Sequence, residues 1–174
     1  MFDMIRFFGE EFESAYCDRG TIVKRRQKID SDEWGDVTTD DWSNVNFRLK
    51  SGIGANVIIS RCVTNEKDTI EFYLVGEKGS LKFISDSSGH HLYRCTGEDC
   101  KTHSFVEDFK AGGQSRSYID LLNGHPDEYA AEIYEGMRSQ AAVDAAKLSS
   151  ETGRMITIKE LYEMNGLEAP EDLK

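Results

Sequence analysis

The sequence predicts an α+β fold: an open, largely antiparallel β-sheet with helices packed on one face. Three observations predict it. Across the middle of the chain, apolar and polar residues alternate with period two. The alternating segments are joined by short Gly-containing turns, which imply antiparallel neighbours rather than parallel crossovers. The last third changes to helical spacing, so strands and helices are segregated along the chain.

The elements follow in order. Residues 1–8, MFDMIRFF, have helical spacing, with Met1, Met4, Ile5 and Phe8 on one stripe, Asp3 and Arg6 outside it, and Gly9 as a stop. No capping residue stands in front, and a helix that opens unprepared leads us to expect a further segment upstream. Residues 12–19 read as a strand, 21–29 as its extension or a second strand, and the Asp-rich stretch 30–41 as a loop. Val45, Phe47 and Leu49 then alternate with Asn44, Asn46, Arg48 and Lys50. After the Ser51-Gly52 turn, Ala55, Val57 and Ile59 alternate with Asn56, Ile58 and Ser60. Ile70, Phe72 and Leu74 alternate with Glu71, Tyr73 and Val75, and Gly76-Glu77-Lys78-Gly79 turns the chain into Leu81 and Phe83. Strands at 91–95 and 101–106 flank a hairpin tip at 96–99.

One face of this meander is apolar and needs cover. The other, with Asn46, Arg48, Ile58, Ser60, Glu71 and Tyr73, is of mixed character. A face of that kind suits contact with a second copy of the chain, so a homodimer or larger assembly is expected.

Residues 116–123 predict a short helix ended by Gly124, and His125-Pro126-Asp127 opens a longer one reaching Glu151. Its expected inward stripe is Ile133, Met137, Ala141, Ala145 and Leu148, widened by Ala142 and Ala146. Thr152-Gly153 caps it. Met155, Ile156 and Ile158 predict a last strand, residues 159–164 a final helical turn or two, and 165–174 a tail. Residues 1–164 are thus expected to form one domain.

Composition bounds the function. With 21 basic and 32 acidic residues the net charge is −11, which argues against nucleic acid as a main partner. The one basic run, Lys24-Arg25-Arg26 with Lys28, is flanked by acidic residues and reads as a solvated segment. No stretch has the length of a membrane span and the N-terminus lacks a signal-peptide pattern. Four cysteines are too few for a disulfide framework in this length, so a cytoplasmic location is expected.

The chemical constellations are sparse. Gly76-Glu77-Lys78-Gly79-Ser80 joins two strands and reads as a hairpin turn rather than a phosphate loop. Gly112-Gly113-Gln114-Ser115 reads as a flexible loop. No nucleophile elbow occurs. Cys95 and Cys100 face each other across the hairpin tip near His103. They are weak zinc candidates, set against a thiol pair, reduced or occasionally oxidised. Trp34 is a candidate to stack on a sugar ring, with a core-edge plug as the alternative. Arg61 is a candidate to hold substrate hydroxyls or a carboxylate, with a salt bridge to Glu66 or Asp68 as the alternative.

Four segments, in order, resemble one family. IEFYLVGEKGSLKF (70–83) resembles the strand–turn–strand signature of the C-terminal domain in the Gfo/Idh/MocA oxidoreductases, which include glucose–fructose oxidoreductase and inositol dehydrogenase. DDWSNVNFRLKSGIGANVIISR (40–61) is similar to the strand, turn and strand that precede it there. EIYEGMRSQAAVDAAKLSSETGRMITI (132–158) resembles the closing helix and strand, and MFDMIRFFGEEFES (1–14) the opening helix.

The resemblance implies an open antiparallel sheet with helices on one face and an oligomer contact on the other. It also implies a parent enzyme that uses NAD or NADP on a sugar- or polyol-like alcohol. In the family, the cofactor and the catalytic Lys belong to an N-terminal Rossmann domain. The catalytic His would lie immediately before Met1. No G-x-G-x-x-G or Glu-Lys-Pro motif occurs in these residues. The chain is therefore expected to hold no catalytic or cofactor-binding residue and to be inactive alone, with the Rossmann domain as its missing partner. The alternative expectation is a standalone sugar- or protein-binding or oligomerisation module that has lost the cofactor domain.

Overall fold

The computed structural model describes residues 2–62, 69–105, 113–125 and 133–171. Among the described residues, ten strands and four helices are distributed over two units, residues 1–63 with 131–174, and residues 64–130.

In the first unit, β1 (Phe12–Gly20), β4 (Trp42–Leu49), β5 (Gly54–Ser60) and β10 (Ile156–Thr157) form an antiparallel sheet in the order β10-β1-β4-β5. The register places Ala15 opposite Phe47, Cys17 opposite Val45, and Val45 opposite Val57. All of these are buried, as the alternation predicts. A register shift between Phe12 and Ser14 lets Phe12 pair with Leu49. Phe12 then joins Phe2 and Phe47 in an aromatic cluster, with centroids 4.4 Å apart for Phe12 and Phe47 and 5.2 Å for Phe2 and Phe47. On the opposite face Asn46, Arg48, Ile58 and Ser60 are exposed. There Asn56 Nδ2 donates to Asn44 Oδ1 at 2.7 Å and to Asn46 Oδ1 at 3.0 Å.

The helix α3 (Ile133–Thr152) covers the buried face with Ala141, Ala142, Ala145, Ala146 and Ser149. The expected stripe is thus rotated. Ile133 is 77% exposed and Met137 also faces outward, while Ser149 is fully buried. Small side chains let helix and sheet approach closely, which a stripe of larger residues would prevent. Ser149 then has a task at the contact: its Oγ accepts from Cys17 N at 3.1 Å and donates to Arg154 O at 2.6 Å. Both backbone groups would otherwise lack those partners in a buried seam. Gly153 ends α3 at φ 67°, a left-handed cap that glycine adopts without strain.

The last predicted strand is shorter than expected. Thr157 ends β10 and caps α4 (Ile158–Met164), its Oγ1 accepting from Glu160 N at 3.0 Å. The Thr-x-x-Glu spacing, a capping box, outweighs the apolar run, so Ile158 opens a helix. After α4 the chain turns back, with Leu167 N donating to Tyr162 O and Ala169 buried.

The opening helix α1 (Phe2–Phe8) corrects another expectation. Arg6, assigned to the outside, is buried, whereas Phe8, assigned to the stripe, is exposed. The Arg6 guanidinium is surrounded by acceptors. Its Nε donates to Glu11 Oε2 at 3.1 Å, its Nη2 to Glu11 Oε1 at 2.7 Å and to Glu135, and its Nη1 to Glu135 O at 2.9 Å and Ser139 Oγ at 3.2 Å. An arginine so fully bonded fastens α1 to β1 and α3. Its hydrogen bond with Glu11 leads the effects that hold it charged.

The segment expected to be a loop, residues 30–41, supplies one strand of a ribbon whose other strand lies in residues 21–29, expected to be extended. β2 (Arg25–Gln27) pairs antiparallel with β3 (Trp34–Asp36), around Asp30 at φ 62°. An Asp at positive φ makes the tight turn that lets the short strands meet.

The second unit is a meander of β6 (Ile70–Gly76), β7 (Gly79–Asp86), β8 (Gly89–Thr96) and β9 (Asp99–Phe105), each paired with the next. Gly79 adopts φ 146°, and a Cβ there would stand 2.2 Å from Cys95 O. That position therefore has to be glycine. The short helix α2 (Gly113–Leu122) ends at Gly124, as predicted. The expected start of the long helix at residues 125–127 lies, beyond His125, outside the described residues.

Candidate functional site

At one end of the first sheet a single carboxylate organises the chain. Asp41 stands immediately before β4 and is 5% exposed. Its Oδ1 accepts from Ile22 N at 2.7 Å and its Oδ2 from Val23 N at 2.9 Å, while Arg26 Nη2 lies 3.5 Å from Oδ2. Its backbone is equally engaged: Asp41 N donates to Gly20 O at 2.9 Å, and its carbonyl accepts from Arg61 N at 2.7 Å. Burial opposes the charge on Asp41. The bonds from the Cys62 thiol, the two amides and Arg26 outweigh it and hold the carboxyl well below the usual carboxylate range. Asp41 was not singled out from sequence. In the Asp40-Asp41 pair nothing local distinguishes the buried member from Asp40, which faces Arg19 at the surface.

This clamp positions Arg61. Arg26 Nη2 donates to Arg61 O at 3.4 Å, so the Arg61 backbone is fixed from both sides. Its side chain is exposed. The alternative partners Glu66 and Asp68 lie outside the described residues.

Trp34 sits in β3 opposite Gln27 and is 59% exposed, so it does not plug a core edge. Strand alternation puts its ring on the ribbon face shared with Arg25, Gln27 and Asp36. Arg26, opposite Gly35, points the other way, toward Asp41 and Arg61. The ribbon therefore separates the Trp34 side chain from Arg26, the residue that holds the Arg61 carbonyl.

The Cys/His cluster is divided as well. Cys95 and Cys100 are a cross-strand pair joined by a disulfide. His103 pairs with Leu92 and, three residues along β9, its side chain leaves from the opposite sheet face. With both sulfurs bonded to each other, no thiolate is offered to a metal. Among the described residues no group of three His, Cys, Asp or Glu side chains could hold an ion.

The face of the second sheet that carries the cysteines also carries a polar row. Lys82 Nζ lies 3.3 Å from Glu71 Oε2 and 4.7 Å above the Tyr73 ring, and Tyr73 OH donates to Glu71 Oε2 at 3.2 Å. The Tyr73 contact, then Glu71, pushes the Lys82 ammonium up from its ordinary range, so it stays charged at neutral pH. Beside it, His91 is held by Ser104 Oγ at 2.9 Å and Ser88 Oγ at 3.2 Å. This arrangement can bind polar groups.

Residues 1–82 match the family model described as the GFO/IDH/MocA C-terminal domain. This stretch is similar to the GFO/IDH/MocA C-terminal domain. The match takes in α1, the clamp, the ribbon and β6, and the β6–β7 turn as far as Lys82. No curated protein matches the chain. Solved structures share its fold. An oxidoreductase from Agrobacterium radiobacter, in complex with NAD+, L-tartaric acid and magnesium, is 13% identical at a TM-score of 0.67, covering 90% of this chain and 46% of that one. The aldose–aldose oxidoreductase from Caulobacter crescentus, complexed with glycerol, is 17% identical at 0.67, covering 89% and 44%. The WlbA dehydrogenase from Bordetella pertussis, in complex with NADH and UDP-GlcNAcA, is 18% identical at 0.61, covering 90% and 41%. The chain spans less than half the length of each. No helix among the described residues is long and apolar enough to cross a membrane.

Proposed function

We propose that this chain is the substrate-side and oligomerisation part of an NAD(P)-dependent oxidoreductase acting on a sugar- or polyol-like alcohol, and that it is inactive alone. The observation that carries this reading is the family match over residues 1–82, on a fold that covers most of this chain but under half of each dehydrogenase it resembles. In this reading the cofactor belongs to a partner Rossmann domain, and the protein acts in the cytoplasm.

Trp34 and Arg61 are the proposed substrate contacts. An exposed indole face suits the C–H face of a sugar ring, and a guanidinium fork suits hydroxyls or a carboxylate. The exposed sheet-face residues Asn46, Arg48, Ile58 and Ser60 are the proposed contact with a second copy.

The test joins this chain to a dinucleotide-binding half encoded upstream and follows NAD(P)H absorbance over a panel of sugars and polyols. Turnover by the joined protein, with no cofactor binding by the 174-residue chain in calorimetry, is the expected result. Micromolar NAD(H) or NADP(H) binding by the chain alone would overturn the division of labour. A monomeric mass by light scattering at high concentration would remove the oligomer contact.

A further inference from the structure

The β8–β9 hairpin carries a covalent bond that its fold does not require. Thr96 pairs with Asp99 around Gly97 and Glu98, and Gly97 takes φ 61°, the conformation a two-residue hairpin turn asks of its first central residue. Cys95 and Cys100 are the next cross-strand pair inward. In a two-residue hairpin that pair is the non-hydrogen-bonded kind, whose α-carbons approach to about 4.5 Å in any antiparallel ladder. Theirs are 4.1 Å apart. Strand pairing alone thus brings the two sulfurs together. The cysteines are separated by only five positions in sequence. The entropy a cross-link removes from the unfolded chain grows with the loop it closes, so this bridge constrains the unfolded chain weakly.

We propose that Cys95 and Cys100 form a thiol–disulfide exchange site, a reversible redox pair whose reaction partners are low-molecular-weight thiols. The hairpin presents the two sulfurs unequally. Cys100 is exposed on β9, the edge strand of its sheet, whereas Cys95 is half-buried on β8 against the Gly79 turn. An incoming thiolate attacks Cys100 Sγ. A new S–S bond forms between them, the Cys95–Cys100 bond breaks, and Cys95 leaves as a thiolate that takes a proton from water. A second thiolate attacks the incoming sulfur of that mixed disulfide and releases Cys100. The bridge gains two electrons, and two small thiols are oxidised to their disulfide.

The remaining cysteines do not compete. Burial pushes the Cys17 thiol up, and Cys17 lies in the core of the first unit. Burial likewise pushes up the Cys62 thiol, whose Sγ donates to Asp41 O at 3.6 Å. Both are poor sources of thiolate at neutral pH.

The experiment equilibrates the native chain with mixtures of reduced and oxidised glutathione, quenches with acid, alkylates and reads masses. Cys95 and Cys100 are expected to pass together between bridged and doubly alkylated forms, in both directions and without denaturant. Cys17 and Cys62 should stay unlabelled until the protein is unfolded, and the far-ultraviolet circular dichroism should not change. In Cys95→Ser the mixed disulfide with glutathione should accumulate on Cys100. A bridge that resists reduction until denaturant is added overturns the proposal. So do thiols that fail to close in the oxidised buffer, or a Cys95→Ser protein left unmodified at Cys100. The double variant Cys95→Ala/Cys100→Ala guards against a folding artefact: if it unfolds, the bridge is a structural staple and the proposal fails.

Discussion

The two units use the same alternation and reach different ends. In the first, Ala15, Val45, Phe47, Leu49 and Val57 lie under α3 and are buried. In the second, Phe72, Leu74, Phe83 and Leu92 occupy equivalent alternating positions in β6, β7 and β8, yet among the described residues 69–125 none is buried. The first unit brings its own covering layer, a helix whose small side chains match the sheet. Backbone pairing completes the second sheet without supplying a layer over its apolar face. Period two fixes which residues share a face, while burial depends on what a distant part of the chain places over that face.

The largest expected effect tests that contrast directly. Phe12→Ala should cost about 3–5 kcal/mol in urea unfolding, because Phe12 is 2% exposed within the aromatic cluster. Phe83→Ala should cost about 1 kcal/mol, since a half-exposed ring loses less burial and leaves no closed cavity. Equal costs would break the comparison.

Arg6→Met ranks next, at about 2 kcal/mol. It takes the buried guanidinium from Glu11, which keeps Arg138 at 3.3 Å, and from Glu135, whose partial exposure keeps the cost below that of a fully buried pair. The loss should show as early exchange of α1 amides, with β6–β9 unaffected. Ser149→Ala should cost about 1–2 kcal/mol by leaving Cys17 N and Arg154 O without their partner. A neutral result would mean that α3 and β1 hold their spacing without it.

The most local effect is that of pH on Asp41. Its folded pKa is depressed, so its contribution is complete above the ordinary carboxylate value near 4 and is lost as pH falls below it toward the folded value. Exchange protection of the Ile22 and Val23 amides, taken against the intrinsic rate at each pH, should fall on acidification, and Asp41→Asn should show that lower protection already at neutral pH. Protection insensitive to both changes would remove the clamp.

Much of this was legible in the residues. The strands at Val45–Leu49 and Ile70–Phe83 alternate plainly, and the glycine stops at Gly124 and Gly153 mark real helix ends. The Thr157-x-x-Glu160 cap is also legible in the sequence, and it prevails over the apolar run beside it. Arg6 could not be read in the same way. A charged residue is assigned to water unless its acceptors are known, and Glu135 and Ser139 lie far along the chain. The separation of His103 from the cysteines follows from counting along a strand, since three positions reverse the face.

By itself the sequence determined the alternation, the turns, the helix ends and the order of family motifs, because each rests on neighbours a few positions apart. The tertiary structure decided which of two adjacent aspartates is buried, that Arg6 is an internal anchor, and that Trp34 and Arg26 leave the ribbon by different faces. It also decided that small residues rather than large ones meet the sheet. These outcomes depend on where distant segments place a hydrogen-bond partner or a covering layer, and no local pattern encodes that placement.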